Sequence, residues 1–205
     1  MSNATHMGKH FMTKSFSLIA AFALAIMTGP VQAQEAGTAA TGLDMGQVDG
    51  EMPAGAPYIK EQFGDWALRC INNPEGDDPC QLYQLLMDGE GNSVAEISMF
   101  LLPEGAQAAA GATIMTPLGT LLTEGLMISV DGGSPRRYVY TFCNVNGCAA
   151  RVGFTAEELT QFQNGTSAVV RLVSVANPGQ PVMLNMSLNG FTAGIQSPLL
   201  QGAAN

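Results

Sequence analysis

The stretch VMLNMSL, residues 182 to 188, sets Val182, Leu184, Met186 and Leu188 on one side of an extended chain and Met183, Asn185 and Ser187 on the other. A period of two is that of a β-strand with one face buried, because successive side chains of an extended backbone point to opposite sides. The same pattern continues toward the N-terminus. Trp66, Leu68 and Cys70 alternate with Asp65, Ala67 and Arg69, and Val94, Glu96, Ser98 and Phe100 alternate with Ala95, Ile97, Met99 and Leu101. Further strand patterns fall at 80–88, 111–115, 125–131, 136–143, 148–153 and 167–175. Turn formers separate them, among them Asp88-Gly89, Pro117-Leu118-Gly119, Asp131-Gly132-Gly133, Asn146-Gly147 and Asn177-Pro178-Gly179.

One segment departs from this pattern. Thr155 followed by Glu158, with Leu159 and Phe162 behind them, is a capping box opening a short helix near 155–163 that ends at Asn164-Gly165. Ala106–Ala110 is too short to hold a helix alone and is expected to be a loop. About nine short strands and one helix make the fold class all-β. The expected architecture is an antiparallel β-sandwich, immunoglobulin-like or jelly-roll-like, with a small barrel as the second choice.

The four cysteines carry the next inference. Their spacings, nine residues between Cys70 and Cys80 and four between Cys143 and Cys148, lack the paired close spacings of a zinc site. Neither pair forms the C-x-x-C of a catalytic redox couple. Two structural disulfides are expected, and no metal. If Asn144–Gly147 forms a four-residue hairpin loop, Cys143 stands directly opposite Cys148, at the separation a disulfide requires. That pairing leaves Cys70 with Cys80.

Disulfides need an oxidising compartment, and the start of the chain supplies one. Residues 16–27 (FSLIAAFALAIM) are apolar, follow Lys9 and Lys14, and lead to Val31-Gln32-Ala33, a small-x-small cleavage pattern. Residues 1–33 therefore read as an export signal, with a vector-like start before Met12. The apolar run is shorter than the roughly 20 residues needed to cross a bilayer, so no transmembrane span is expected in the mature chain. The residue after the cleavage point is Gln34, not cysteine, so any membrane association is expected to be peripheral. Residues 34–57 are rich in Gly, Ala, Thr, Pro and acid without apolar periodicity and read as a flexible linker. A domain at 58–196 and a tail at 197–205 complete the expected organisation.

Cleavage after Ala33 would leave 172 of the 205 residues, with neither His6 nor His10 retained. Six basic side chains would then face 17 acidic ones, a net charge of -11. That balance argues against nucleic acid or anionic lipid as a partner held by a broad basic surface. Without histidine, Ser-His-Asp and Cys-His catalysis are excluded. A carboxylate pair acting on envelope glycans remains as the alternative function, but the acids stand mostly at turns: Asp77, Asp78, Asp88, Glu90, Glu104 and Asp131. Glu96 shares a strand face with Ser98. No Gly-rich phosphate loop precedes a helix, and no cofactor is indicated. Arg136-Arg137 beside Tyr138 is the one basic doublet of the mature chain, and arginine with tyrosine typifies interaction hot spots. Charge that blunts an edge strand explains the doublet equally well. The scattered methionines read as core filling.

Taken in order, FGDWALRC, a cysteine before QLYQ, LPEGA, TPLGTLLTEGLMISVDGG, FCNVNGCAARVGFTAEELTQFQNG and MSLNGFTAGI resemble the invasion-associated locus B family over residues 63–195. The resemblance implies an exported alphaproteobacterial envelope protein with an all-β sandwich and no established enzymatic activity. It implies a location in the periplasm or at the outer membrane. An envelope or host protein would be the partner. The family name derives from members linked to host-cell invasion, and the family supplies no catalytic residues to place on this sequence. The expected function is that of a non-catalytic envelope interaction protein.

Overall fold

The computed structural model describes residue 50 and residues 52–201. The expected export signal, most of the linker and the last four residues lie outside the described residues. Eleven strands form: β1 (Pro57–Phe63), β2 (Trp66–Ile71), β3 (Cys80–Met87), β4 (Ser93–Leu101), β5 (Ala110–Thr116), β6 (Leu126–Val130), β7 (Arg136–Tyr138), β8 (Phe142–Asn144), β9 (Gly147–Phe154), β10 (Ser167–Leu172) and β11 (Val182–Ser187). Three short helices accompany them, α1 (Ala156–Asn164), α2 (Phe191–Ile195) and α3 (Pro198–Gln201), with a 3-10 turn at Leu122–Glu124.

The architecture is mostly antiparallel β, as expected, but the strands pair into one curled sheet and not into the two separate sheets of a sandwich. The path runs β7-β6-β10-β11-β3-β4-β5-β9-β8, with β1 and β2 branching from β3. The branch explains the correction. β3 pairs with β2 over Cys80–Tyr83 and reaches β11 at Met87, so both groups of strands are hydrogen-bonded through it. Gln84, buried at the fork, donates to the carbonyls of Asp65 (3.2 Å) and Ser187 (3.0 Å) and ties the diverging strands together. Trp66 adds an indole N–H bond of 2.7 Å to the same Ser187 carbonyl.

Alternation decides which side chains enter the curl. Leu82, Leu86, Ile97, Met99, Ile114, Val170, Leu184 and Met186 are buried, while Gln81, Leu85, Met183 and Asn185 stand outside. The concave face is closed by helices where a sandwich would place a second sheet. Phe162 of α1 packs between Phe154 and Phe191 at centroid distances of 5.0 and 5.7 Å, and Phe191 meets Trp66 at 5.2 Å. The Phe154–Phe162 and Trp66–Phe191 pairs are edge-to-face, a geometry that adds to the stabilisation from burial alone.

The predicted helix forms at the predicted place. Thr155 Oγ1 accepts the Glu158 amide and Glu158 accepts the Thr155 amide, so both arms of the capping box are present. α2, α3 and β1 were not expected. The segment from 197 read as a tail instead carries α3, with Leu200 fully buried against the core. The end of the expected linker is also tied down, since Gly55 and Asn72 exchange backbone bonds with Asn72 and Ala56 at 2.8 and 2.9 Å. The single strand expected at 136–143 is divided, with β7 pairing β6 and β8 pairing β9.

Candidate functional site

The basic doublet lies on β7, a three-residue strand at one end of the sheet path, which pairs only with β6. β7 is therefore an edge, but its side chains are engaged by the protein itself. Arg137 Nε and Nη2 donate to the carbonyls of Glu124 (2.8 Å) and Thr123 (2.6 Å), satisfying the end of the 3-10 turn. Arg136 Nη1 lies 2.5 Å from Glu158 Oε1, and Tyr138 Oη donates to the same oxygen at 3.1 Å. Tyr138 also stacks edge-on against Phe154, 6.0 Å between centroids, which draws the β7 edge toward the far side of the curl. The sequence brought Arg136, Arg137 and Tyr138 together; the structure adds Glu158, Thr123 and Glu124 as their partners.

Glu158 is the centre of this arrangement. It is only 8% exposed, and burial alone would raise its carboxyl pKa. The Thr155 amide, the Arg136 guanidinium, the Tyr138 hydroxyl and the Thr155 hydroxyl together outweigh burial and hold the pKa below the usual carboxylate range. In return Tyr138 is held well above the usual phenol range, first by burial and then by the neighbouring Glu158 charge. The Arg136–Glu158 pair separates two grooves. One, of about 640 Å³, is lined by residues that include Asp131, Ser134, Glu157 and Gln161; the other, of about 630 Å³, includes Gln107, Ala108 and Pro135.

Carboxylates do converge on the first groove, and their surroundings bear on the hydrolase alternative. Both Asp131 oxygens accept the Thr166 amide at 3.1 Å, and Oδ1 also accepts the Ser167 amide at 3.0 Å. Asp131 thereby fixes its own positive φ of 47° at the β6 turn. Glu158 is occupied by the helix cap and β7. A general acid needs a raised pKa near its working pH, and Glu158 is shifted the other way. Two more of the acids noted in the sequence, Asp88 and Asp78, stand in comparable roles. Asp88 Oδ1 accepts the amides of Glu90 and Asn92, both at 2.9 Å, which closes its turn. Asp78 takes the Asn73 amide at 2.8 Å and the Tyr58 hydroxyl.

On the outer face, Glu96 and Ser98 are joined through Arg69. Arg69 Nη2 donates to Ser98 Oγ at 2.9 Å, and Arg69 Nη1 lies 3.5 Å from Glu96 Oε2. The Arg69 guanidinium also covers the Tyr83 ring at 3.8 Å. Tyr83 donates to Glu96 at 3.0 Å, and burial followed by that bond pushes its pKa up to about 12. Four side chains from β2, β3 and β4 thus form a closed polar ladder that pins the strands in register. Period-two reading placed Glu96 and Ser98 on one face; it carried no signal for Arg69 or Tyr83, which reach them from other strands.

The cysteines occupy paired positions. Cys70 is bonded to Cys80 across β2 and β3, and Cys143 to Cys148 across β8 and β9. The hairpin is tighter than expected: Asn144 pairs with Gly147, which leaves Val145-Asn146 as the turn, while Cys143 still faces Cys148. The described residues contain no free cysteine and no group of three metal-ligating side chains.

Comparison with known proteins agrees with this architecture. Two invasion protein B homologues of Brucella abortus, one from strain 2308 and one from biovar 1 strain 9-941, are each 26% identical over 147 residues, 70% of this chain and 81% of theirs. The crystal structure of invasion associated protein B from Bartonella henselae superposes with a TM-score of 0.55 at 21% identity, over 65% of this chain and 89% of that one, which establishes a shared fold. The profile of the Invasion associated locus B (IalB) protein family matches residues 66–199, from the buried Trp66 into α3, and the chain belongs to that family.

Proposed function

We propose that this chain is an exported, non-catalytic interaction protein of the cell envelope, located in the periplasm or at the outer membrane and contributing to host-cell association. The observation that carries the proposal is the condition of two acids in the groove between α1 and the end of β6. Asp131 and Glu158 have their oxygens taken up by backbone amides, a guanidinium and a phenol, so they stabilise the fold and are not held for chemistry. Two disulfides suit an oxidising compartment. The relatives are named for invasion and not for a reaction.

The test separates binding from turnover. The purified oxidised chain is incubated with peptidoglycan sacculi and, separately, with outer-membrane fragments, followed by sedimentation and by chromatography of any soluble products. The expected result is co-sedimentation with envelope material and no released fragments. Release of glycan fragments that disappears with Asp131→Asn or Glu158→Gln would replace this reading with a hydrolase.

A further inference from the structure

We infer that the Cys143–Cys148 bond is a thiol-exchange site, attacked at Cys143 by a low-molecular-weight thiol and resolved through Cys148, whereas Cys70–Cys80 is inert in the folded chain. The two bonds join paired strands in the same way but sit in different surroundings. Cys70 and Cys80 are 0% and 1% exposed, on strands that run between β1 and β4. Cys143 is exposed, and Cys148 is only 3% exposed. Cys143 belongs to β8, a three-residue strand with no buried residue that pairs with β9 alone and ends the sheet path. Cys148 lies inside the sheet: it faces Thr116 of β5 on its other side, and its carbonyl accepts the Thr116 hydroxyl at 3.2 Å.

Exchange requires a thiolate to reach one sulfur of the bond and displace the other, so access decides which bond reacts and where. Attack on Cys143 forms a bond between its sulfur and that of the incoming thiol, breaks the Cys143–Cys148 bond, and leaves the electron pair on Cys148, whose thiolate takes a proton from water. A second thiol then attacks the incoming sulfur and releases Cys143, so two thiols become one disulfide while the pair becomes two thiols. In the reverse direction Cys148 expels the bound thiol, because the β8–β9 register keeps the two cysteines opposite each other. Opening the bond removes the covalent link across the tip. What remains is the pairing of Phe142, Cys143 and Asn144 with Ala149, Cys148 and Gly147, the Asn146 amide on Asn144 Oδ1 at 2.9 Å, and the Arg151 guanidinium 5.7 Å from the Phe142 ring. The chain before the tip is held independently, by the Thr141 amide on Ala149 O at 2.8 Å and by the Tyr138–Phe154 contact. Exchange therefore loosens residues 142–147 and bares the β9 backbone beside them while the rest of the sheet stays paired.

The test exposes the purified oxidised chain to reduced glutathione, blocks free thiols with iodoacetamide at intervals, and locates the blocked cysteines by peptide mass after full reduction and labelling of the rest with N-ethylmaleimide. The same series is run in urea. The expected result is that Cys143 and Cys148 are blocked about tenfold or more faster than Cys70 and Cys80 in the folded chain, with the difference largely lost in urea. Equal rates in the folded chain, earlier opening of Cys70–Cys80, or a difference of the same size in urea would overturn the inference. Two single variants then locate the attacked sulfur, with circular dichroism melting as the check on folding. Treated with oxidised glutathione, Cys148→Ser should carry glutathione on Cys143, and Cys143→Ser should acquire it on Cys148 at a rate lower by about tenfold or more. The opposite order would overturn the assignment of Cys143. Hydrogen exchange after selective opening should quicken within residues 142–149 and stay unchanged in β5 and β10; a change that spreads to those strands would show that the bond is a structural staple alone. The glutathione series uses the unaltered chain, so it decides the matter even where a variant fails to fold.

Discussion

Glu158 shows how one side chain joins helix, edge strand and groove. Its place in the capping box was legible in the sequence, because Thr155 and Glu158 stand three residues apart before an apolar pair. Its bonds to Arg136 and Tyr138 were not, since they span 20 residues or more and depend on how the sheet curls. Glu158→Gln is expected to lower unfolding free energy by about 1–2 kcal/mol at neutral pH, the range for losing hydrogen bonds to a buried charged group. A carboxyl with a depressed folded pKa contributes stability above its unfolded value and loses it as pH falls through the folded one. The gap between parent and variant in urea titrations should therefore narrow from about pH 5 downward, and a constant gap would show that the charge is immaterial. Gly190 carries a second residue-scale prediction. It has φ of +84°, and a Cβ there would stand 1.9 Å from the Phe63 carbonyl oxygen. Gly91 has the same φ with open space around it. Gly91→Ala should cost about 1 kcal/mol from the backbone conformation alone, and Gly190→Ala about 3 kcal/mol or more because backbone must also move. Similar losses for both would mean that the contact at Phe63 is easily relieved.

At the scale of elements, alternation located most strands but did not distinguish strands that share a sheet edge from strands that face each other. The pattern at 136–143 reads as continuous, yet Tyr138 turns inward toward Phe154 and the Thr141 amide bonds Ala149 O at 2.8 Å, which hands the chain from β6 to β9. β1 was hidden for a different reason: as an edge strand with most of its residues exposed it has no apolar alternation to read. The arginines of β7 can be separated by mutation. Arg137 holds two carbonyls of the 3-10 turn, so Arg137→Ser is expected to lower the melting temperature by about 2 °C or more. Arg136→Ser leaves Glu158 with the Thr155 and Tyr138 bonds and should shift the acid limb of the stability profile more than the melting temperature at neutral pH. An unchanged melting curve for Arg137→Ser would return Arg137 to the solvent-facing role that its exposure suggests. The β8–β9 staple closes a short ring, and Cys143→Ser/Cys148→Ser should lower stability by about 2 kcal/mol while the Cys70–Cys80 bond keeps β2 and β3 together.

For the whole molecule, the sequence made the all-β class readable because periodicity is local, whereas the number of sheets is set by one strand, β3, whose edge serves β2 and then β11. Once the strands form a single curled sheet, its concave face must be covered by something other than a second sheet, and this gives the C-terminal segment its structural role. Phe191, Ile195 and Leu200, from α2 and α3, are buried in the common core. Short helices of four or five residues have no stable existence alone and leave almost no periodic signal, which is why residues from 197 read as a tail. Their stability comes from the sheet, and the sheet's buried face depends on them in turn. Leu200→Ala should therefore destabilise the fold by about 2–4 kcal/mol, as for a leucine removed from a packed core, although it lies within six residues of the C-terminus. A chain ending at Gln196 should lose at least as much and expose apolar surface to a hydrophobic dye. At the other end the expectation reverses. A chain starting at Met52 keeps the Gly55, Ala56 and Asn72 bonds and should melt like the parent, while one starting at Tyr58 loses them and should melt a few degrees lower but still cooperatively. If the C-terminal truncation melts normally and the Tyr58 start does not fold, the core has been placed at the wrong end of the sheet.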